Sequence, residues 1–200
     1  MAWFNWFWPR SFQRVDIQRT EPKLTPAPKG KAALAAVVGT AAAGLIAVVA
    51  QWEGKRNDPY QDIVGVWTVC YGETNTEMRR YTDAECEEML AESLVDYAKP
   101  VLARNPELKG HDPQTLAAVS LTYNIGPGPS DLSRCGQPGV RGGYRCSSIA
   151  RNFSAGRWVS ACNAFLLYNR AGGKPVPGLT NRRNAERKIC LRNIPLEYRK

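Results

Sequence analysis

The sequence predicts an α+β fold dominated by helices, with a small antiparallel sheet near the start of the folded domain and a transmembrane helix ahead of it. Three observations carry that expectation. Ile63 to Tyr71 (IVGVWTVCY) is rich in the β-branched and aromatic residues that strands favour. The residues after it carry helix starts and stops instead. Ala32 to Ala50 run nineteen residues without a charge, enough for a helix of about 28 Å, close to the hydrocarbon thickness of a bilayer.

Residues 1–31 contain six basic and two acidic residues, four prolines and the aromatic cluster Trp3, Phe4, Trp6, Phe7 and Trp8. Proline restrains φ and removes a donor, so 21–31 reads as a linker. The rings suit a membrane interface or an unstructured tail. The charge-free segment is only weakly apolar: nine Ala, two Gly and one Thr leave seven Leu, Ile or Val, each favouring insertion by about 0.3 to 0.6 kcal/mol. The basic arm before it places the N-terminus in the cytoplasm and everything after Ala50 outside. Unbroken apolarity argues against a core helix packed at a surface, which would show a polar stripe. Signal-peptide cleavage after Ala50 is the alternative, and it would leave only Gln51 and Trp52 ahead of Glu53. The expected division is an arm and linker over 1–31, a weak signal-anchor span over 32–50 and a folded domain over 51–200.

Within that domain Trp52–Lys55 closes a helix, and Asn57, Asp58 and Pro59 signal a turn over 56–61. The strand Ile63–Tyr71 follows, with a hairpin partner nearby. Thr82 with Glu85 forms a capping box that opens a helix to about Ala98. Asp112 and Pro113 open another, stopped by GPGP at 126–129. Segments 147–154, 157–169 and 180–191 read as helical.

The formal charge of +9, from 27 basic and 18 acidic residues, favours anionic partners. No dense Lys/Arg run interleaved with aromatics occurs, so nucleic acid is not an expected partner. Six cysteines with no CxxC and a single histidine, His111, argue against a zinc site and favour disulfides in an oxidising compartment. Six cysteines allow fifteen connectivities. The preferred set is Cys70–Cys86, Cys135–Cys146 and Cys162–Cys190, with buried free thiols as the alternative. His111, in a Gly-His-Asp-Pro turn, is expected to be exposed, and Trp158 with Cys162 to belong to the core. No metal or cofactor is expected.

The candidate chemistry lies in EGKRNDPYQDIVGVWT. Glu53, Asp62 and Thr68 supply an acid, a second carboxylate and a hydroxyl that can converge on one bond. Together with YGET at 71–74, SLTYNIG at 120–126 and AGGK…GLTNRRNAE from 171 to 186, this series resembles the phage-type lysozymes, glycoside hydrolase family 24, over roughly residues 51–192. The weak span further resembles the signal-arrest-release endolysins.

The resemblance implies a phage-lysozyme-like fold and hydrolysis of the β-1,4 bond between N-acetylmuramic acid and N-acetylglucosamine in peptidoglycan. Glu53 matches the general acid, whose proton must be retained in a poorly solvated pocket, with Trp52 and Trp67 as candidate walls. Asp62 and Thr68 match the residues that hold and activate water. Inversion calls for carboxyl groups about 6.5 to 9.5 Å apart, and a closer spacing for retention. Arg183 matches an arginine near the acid, and Asn124 a cleft position that contacts sugar. The implied partners are glycan strands and the inner membrane, with the protein a monomer. The implied course runs from the host inner membrane, with the domain in the periplasm, to a released enzyme. A secreted lysozyme with its N-terminus removed, or a non-catalytic wall-binding protein on the same fold, are the rival readings.

Overall fold

A computed structural model describes residues 30–62 and 65–199. The aromatic arm, most of its linker, and Ile63–Val64 of the expected strand lie outside the described residues. The elements are α1 (Gly30–Val38), α2 (Ala41–Trp52), β1 (Arg56–Gln61), β2 (Trp67–Cys70), α3 (Asp83–Arg104), α4 (Asp112–Ile125), α5 (Ser148–Ser154), α6 (Trp158–Asn163), β3 (Arg170–Ala171), β4 (Lys174–Pro175) and α7 (Pro177–Cys190).

The charge-free segment is not one helix. It breaks at Gly39, where φ is +59°, and its halves α1 and α2 meet at a bend of 115°. Among the described residues no single helix is long and apolar enough to cross a membrane. Instead α1 lies along α3 and α2 against α4. Leu34, Leu45 and Val49 are fully buried, whereas Ala32, Ala35, Ala36, Ala43 and Ala47 face outward. The expectation that a packed helix needs a polar stripe fails here for a physical reason. A stripe of alanine exposes so little apolar surface that leaving it in water costs little.

Polar contacts fix the pair in place. The Lys31 backbone N–H donates to Glu88 Oε2 at 3.0 Å, and Lys31 Nζ lies 2.8 Å from Glu87 Oε2. A Cβ at Gly30 would sit 2.3 Å from the Glu88 carbonyl oxygen, so only glycine allows this approach. The Thr40 hydroxyl donates to Asp112 at the bend.

The turn signals of 56–61 lie inside a strand. β1 pairs antiparallel with β2 through Arg56↔Cys70, Tyr60↔Thr68 and Gln61↔Trp67, with an irregularity between Arg56 and Tyr60. That bulge absorbs Asn57, Asp58 and Pro59, since a proline without an N–H is tolerated where ladder bonds are already missing. A second hairpin, β3–β4, turns on Gly172 and Gly173, both at positive φ.

The Thr82–Glu85 capping box is formed in both directions. α3 continues beyond Ala98 through Pro100 to Arg104, because Val101 and Leu102 extend its buried face and offset the hydrogen bond the proline forfeits. α7 starts at Pro177, a residue suited to a first helical turn. His111 is half-buried, edge-on to Trp158 with centroids 4.6 Å apart, so the expected exposed turn histidine is part of the core margin. Trp158 is buried and stacks on Tyr198. Disulfides join Cys70 to Cys86, Cys135 to Cys146 and Cys162 to Cys190, tying β2 to α3, closing the loop after α4, and tying α6 to α7.

Candidate active site

Glu53 caps α2. Its N–H donates to Val49 O at 3.1 Å, and its extended backbone turns the chain toward β1. The packed helix therefore delivers the carboxylate to the domain, where its side chain is 15% exposed. Glu53 Oε1 accepts from Arg182 Nη1 at 2.9 Å. The arginine expected there was Arg183. Neighbouring residues on a helix point about 100° apart, and α7 turns Arg182 to Glu53 while Arg183 faces the core, with no exposed surface.

Asp62 and Thr68 both bond to the backbone of one residue, Val66. Asp62 Oδ1 accepts from the Val66 N–H at 2.9 Å, and the Thr68 hydroxyl donates to Val66 O at 3.0 Å. Further bonds from Asp62 N to Val66 O and from Gly65 N to Asp62 O close the turn. Thr68 is buried. With its one proton engaged on Val66, its hydroxyl offers lone pairs as an acceptor.

Tyr60 links the two halves of the site. It sits opposite Thr68 in the hairpin. Burial pushes its phenol up from the ordinary tyrosine range, the Arg56 guanidinium 4.5 Å over its ring opposes this, and the charges of Asp62 and Glu53 push it further up. One side chain thus lies in the field of both carboxylates. Trp67 is 52% exposed and adjacent in a strand to Thr68, so it points to the other face and does not wall the site. Trp52 is half-buried.

Asn124 lines a pocket of about 260 Å³ with Tyr168, Arg170, Val176 and Leu179. Gln114 of α4 donates to the carbonyls of Cys190 and Arg192, and Ser120 to Glu186, so α4 and α7 run antiparallel. Asn124 and Leu179 therefore lie about one turn beyond the layer of Ser120 and Arg182, at the same end of the helix pair. Tyr60, Arg182, Ser120 and Glu186 were not singled out from sequence. The spacing of Tyr60 and Asp62, two apart at the end of β1, and of Arg182 and Glu186, four apart on one helix, are the signals that could have found them.

Residues 50–186 match the family model described as Phage lysozyme. The chain belongs to the phage lysozyme family. Its function is that of a lysozyme-type phage endolysin, and its fold is the helix-dominated phage lysozyme fold with small antiparallel sheets. It is 35% identical over 176 residues to the SAR-endolysin of Enterobacteria phage P21, an alignment spanning 82% of this chain and 96% of that one. It is 36% identical over 144 residues to the SAR-endolysin of Bacteriophage PS119, spanning 70% and 76%. Among solved structures, the active form of the P1 phage endolysin Lyz superimposes with a TM-score of 0.60 at 25% identity, covering 81% of this chain and 93% of that chain.

Proposed function

We propose that this phage lysozyme hydrolyses the β-1,4 bond between N-acetylmuramic acid and N-acetylglucosamine in peptidoglycan, with Glu53 as acid and Asp62 and Thr68 holding the attacking water. The observation that supports this reading is that Tyr60, paired with Thr68 across the hairpin, feels the charges of both Asp62 and Glu53. Protonated Glu53 gives its proton to the departing glycosidic oxygen. Water, accepted by Thr68 and deprotonated by Asp62, attacks the anomeric carbon. Arg182 then stabilises the Glu53 carboxylate as its charge develops. Asn124 and its pocket lie along the same helix pair, suited to a sugar further along the strand. Arg183, being buried, supports the site from beneath rather than by touching sugar.

In this reading, residues 32–50 alternate between two environments. Inserted in the inner membrane, they hold Glu53 within one helical turn of lipid, away from Asp62 and Thr68. Once the bilayer loses its energisation they leave it and pack as α1 and α2, the arrangement described above, and a released periplasmic monomer cuts the wall. Cleavage after Ala50 would strip Leu34, Leu45 and Val49 from the core, which favours release of the intact chain over a secreted, trimmed one. The names SAR-endolysin of the relatives support the same course.

Digestion of purified peptidoglycan with wild type and Glu53→Gln, followed by mass spectrometry of the product ends, tests the reaction. Glu53→Gln should be slower by about 10²- to 10⁴-fold, and wild type should leave reducing muramyl ends. Equal cleavage by both proteins removes the acid assignment, and anhydromuramyl ends remove hydrolysis.

A further inference from the structure

Behind Arg182 lie two buried charged residues, Glu186 and Arg183, that the reaction itself does not use. Glu186 has no exposed surface. Its Oε1 accepts from the Ser120 hydroxyl at 2.7 Å, from Arg182 Nε at 3.2 Å and from Arg183 Nη2 at 3.1 Å. Its Oε2 lies 2.9 Å from Arg183 Nε, too far off the N–H direction for a hydrogen bond, so both atoms are without a hydrogen-bond partner. Arg183 Nη1 is also buried and unpartnered. Arg182 is held at a second point, Nη2 donating to Ser120 O at 3.2 Å.

Stability alone gives no reason for this arrangement. Buried ion pairs are frequently matched or bettered by apolar residues of similar volume, and an incompletely bonded one is worse still. Their effect on Glu53 is a different matter. Arg182 touches it, and Arg183 feels its charge: burial pulls the Arg183 guanidinium down to about 10, while Glu186 and Glu53 oppose that pull and Arg182 adds to it. Arg183 thus stays charged at neutral pH. The two arginines and Glu186 together present Glu53 with one net positive charge.

We propose that Glu186 is a positioning residue of the catalytic apparatus: it fixes the Nε edge of Arg182 so that Nη1 reaches Glu53, and it balances one of the two buried positive charges behind that carboxylate. The proposal rests on the reading of Glu53 as the acid. Arg182 pairs with Glu53, Arg183 on α7 and Tyr60 on β1 feel its charge, Glu186 and uncharged Ser120 lie behind Arg182, and Asp62 at the turn after β1 acts on the same Tyr60. Only the α7 set changes net charge when Glu186 is replaced.

The test is the alkaline limb of the kcat/KM profile on peptidoglycan, where a protonated acid is lost. An added positive charge favours the carboxylate, so the limb moves to lower pH, and a removed one moves it higher. Glu186→Gln raises the local charge to two and should move the limb acid-ward by about 1 pH unit or more. Arg183→Met lowers it to zero and should move the limb the other way. The double variant restores one net charge and should return the limb to the wild-type position. Its charge balance keeps the comparison with Arg183→Met usable even where Glu186→Gln alone fails to fold. Limbs that stay put, or that move the same way in both single variants, overturn the positioning role while the Glu53→Gln loss still stands. Undiminished cleavage by Glu53→Gln overturns both.

Discussion

As the proposed acid, Glu53 delivers a proton beside the Arg182 guanidinium, 2.9 Å from its carboxylate. In that role Arg182 acts late, stabilising the carboxylate once the proton has gone. On the opposite side, Thr68 should matter through its oxygen alone. Thr68→Val is expected to lower kcat by about 10²-fold with KM little changed, and Thr68→Ser, which keeps the acceptor, to retain most activity. Steady-state kinetics on soluble glycan fragments would decide this, and an equal loss in both variants would show that shape, not the hydroxyl, was being read. The candidates Glu53, Asp62 and Thr68 were legible in the chain through the family resemblance of the surrounding motifs, not through their spacing alone. The choice between Arg182 and Arg183 was not, since it depends on the rotation of α7 about its axis, which packing against α4 sets. Glu186 was hidden for the same reason: a four-residue spacing from Arg182 is as common on solvated helix faces as in buried clusters.

Among the elements, β2 carries Thr68 and is bound to α3 by Cys70–Cys86, sixteen residues apart in sequence. Replacing both cysteines by serine should destabilise the fold by about 3 kcal/mol on a chain-entropy argument, measurable by urea unfolding, with activity lost at lower denaturant than stability as the hairpin loosens. At the start of α3 the Arg79 guanidinium, with the Thr82 N–H and hydroxyl, holds the Glu85 carboxyl down to about 2. A depressed carboxyl stabilises the folded state above its ordinary range near 4.5 and loses that contribution as pH falls toward 2. The Tm gap between wild type and Glu85→Gln should therefore be full at neutral pH and close across that acidic window. A gap independent of pH would contradict it. The helix positions were legible because caps and breakers are local chemistry. β1 was not, because its bulge depends on β2, and two strands must be aligned before Asn57, Asp58 and Pro59 can be told from a turn.

For the whole molecule, the proposed reading gives the apolar segment two solvents. Leu34, Leu45 and Val49 turn inward and complete the core, and the proposal is that its seven larger side chains let the segment enter lipid weakly. Its sequence shows the apolarity and leaves open which of these surroundings absorbs it, since that depends on the faces of α3 and α4 offered in return. In the proposed function this one segment is both anchor and core, and only as core does it bring Glu53 to Asp62 and Thr68. Leucine at positions 35, 36, 43 and 47, which face outward in the folded form, would strengthen insertion by about 2 kcal/mol in total without disturbing the packed core. The direct measurement is separation of membrane and soluble fractions after depolarising the inner membrane, with muramidase activity assayed in each. Wild type should appear in the soluble fraction, intact and active, while the four-leucine variant stays with the membrane and is silent there. Activity of either protein while still membrane-bound, or release of the variant on the wild-type schedule, would contradict the claim.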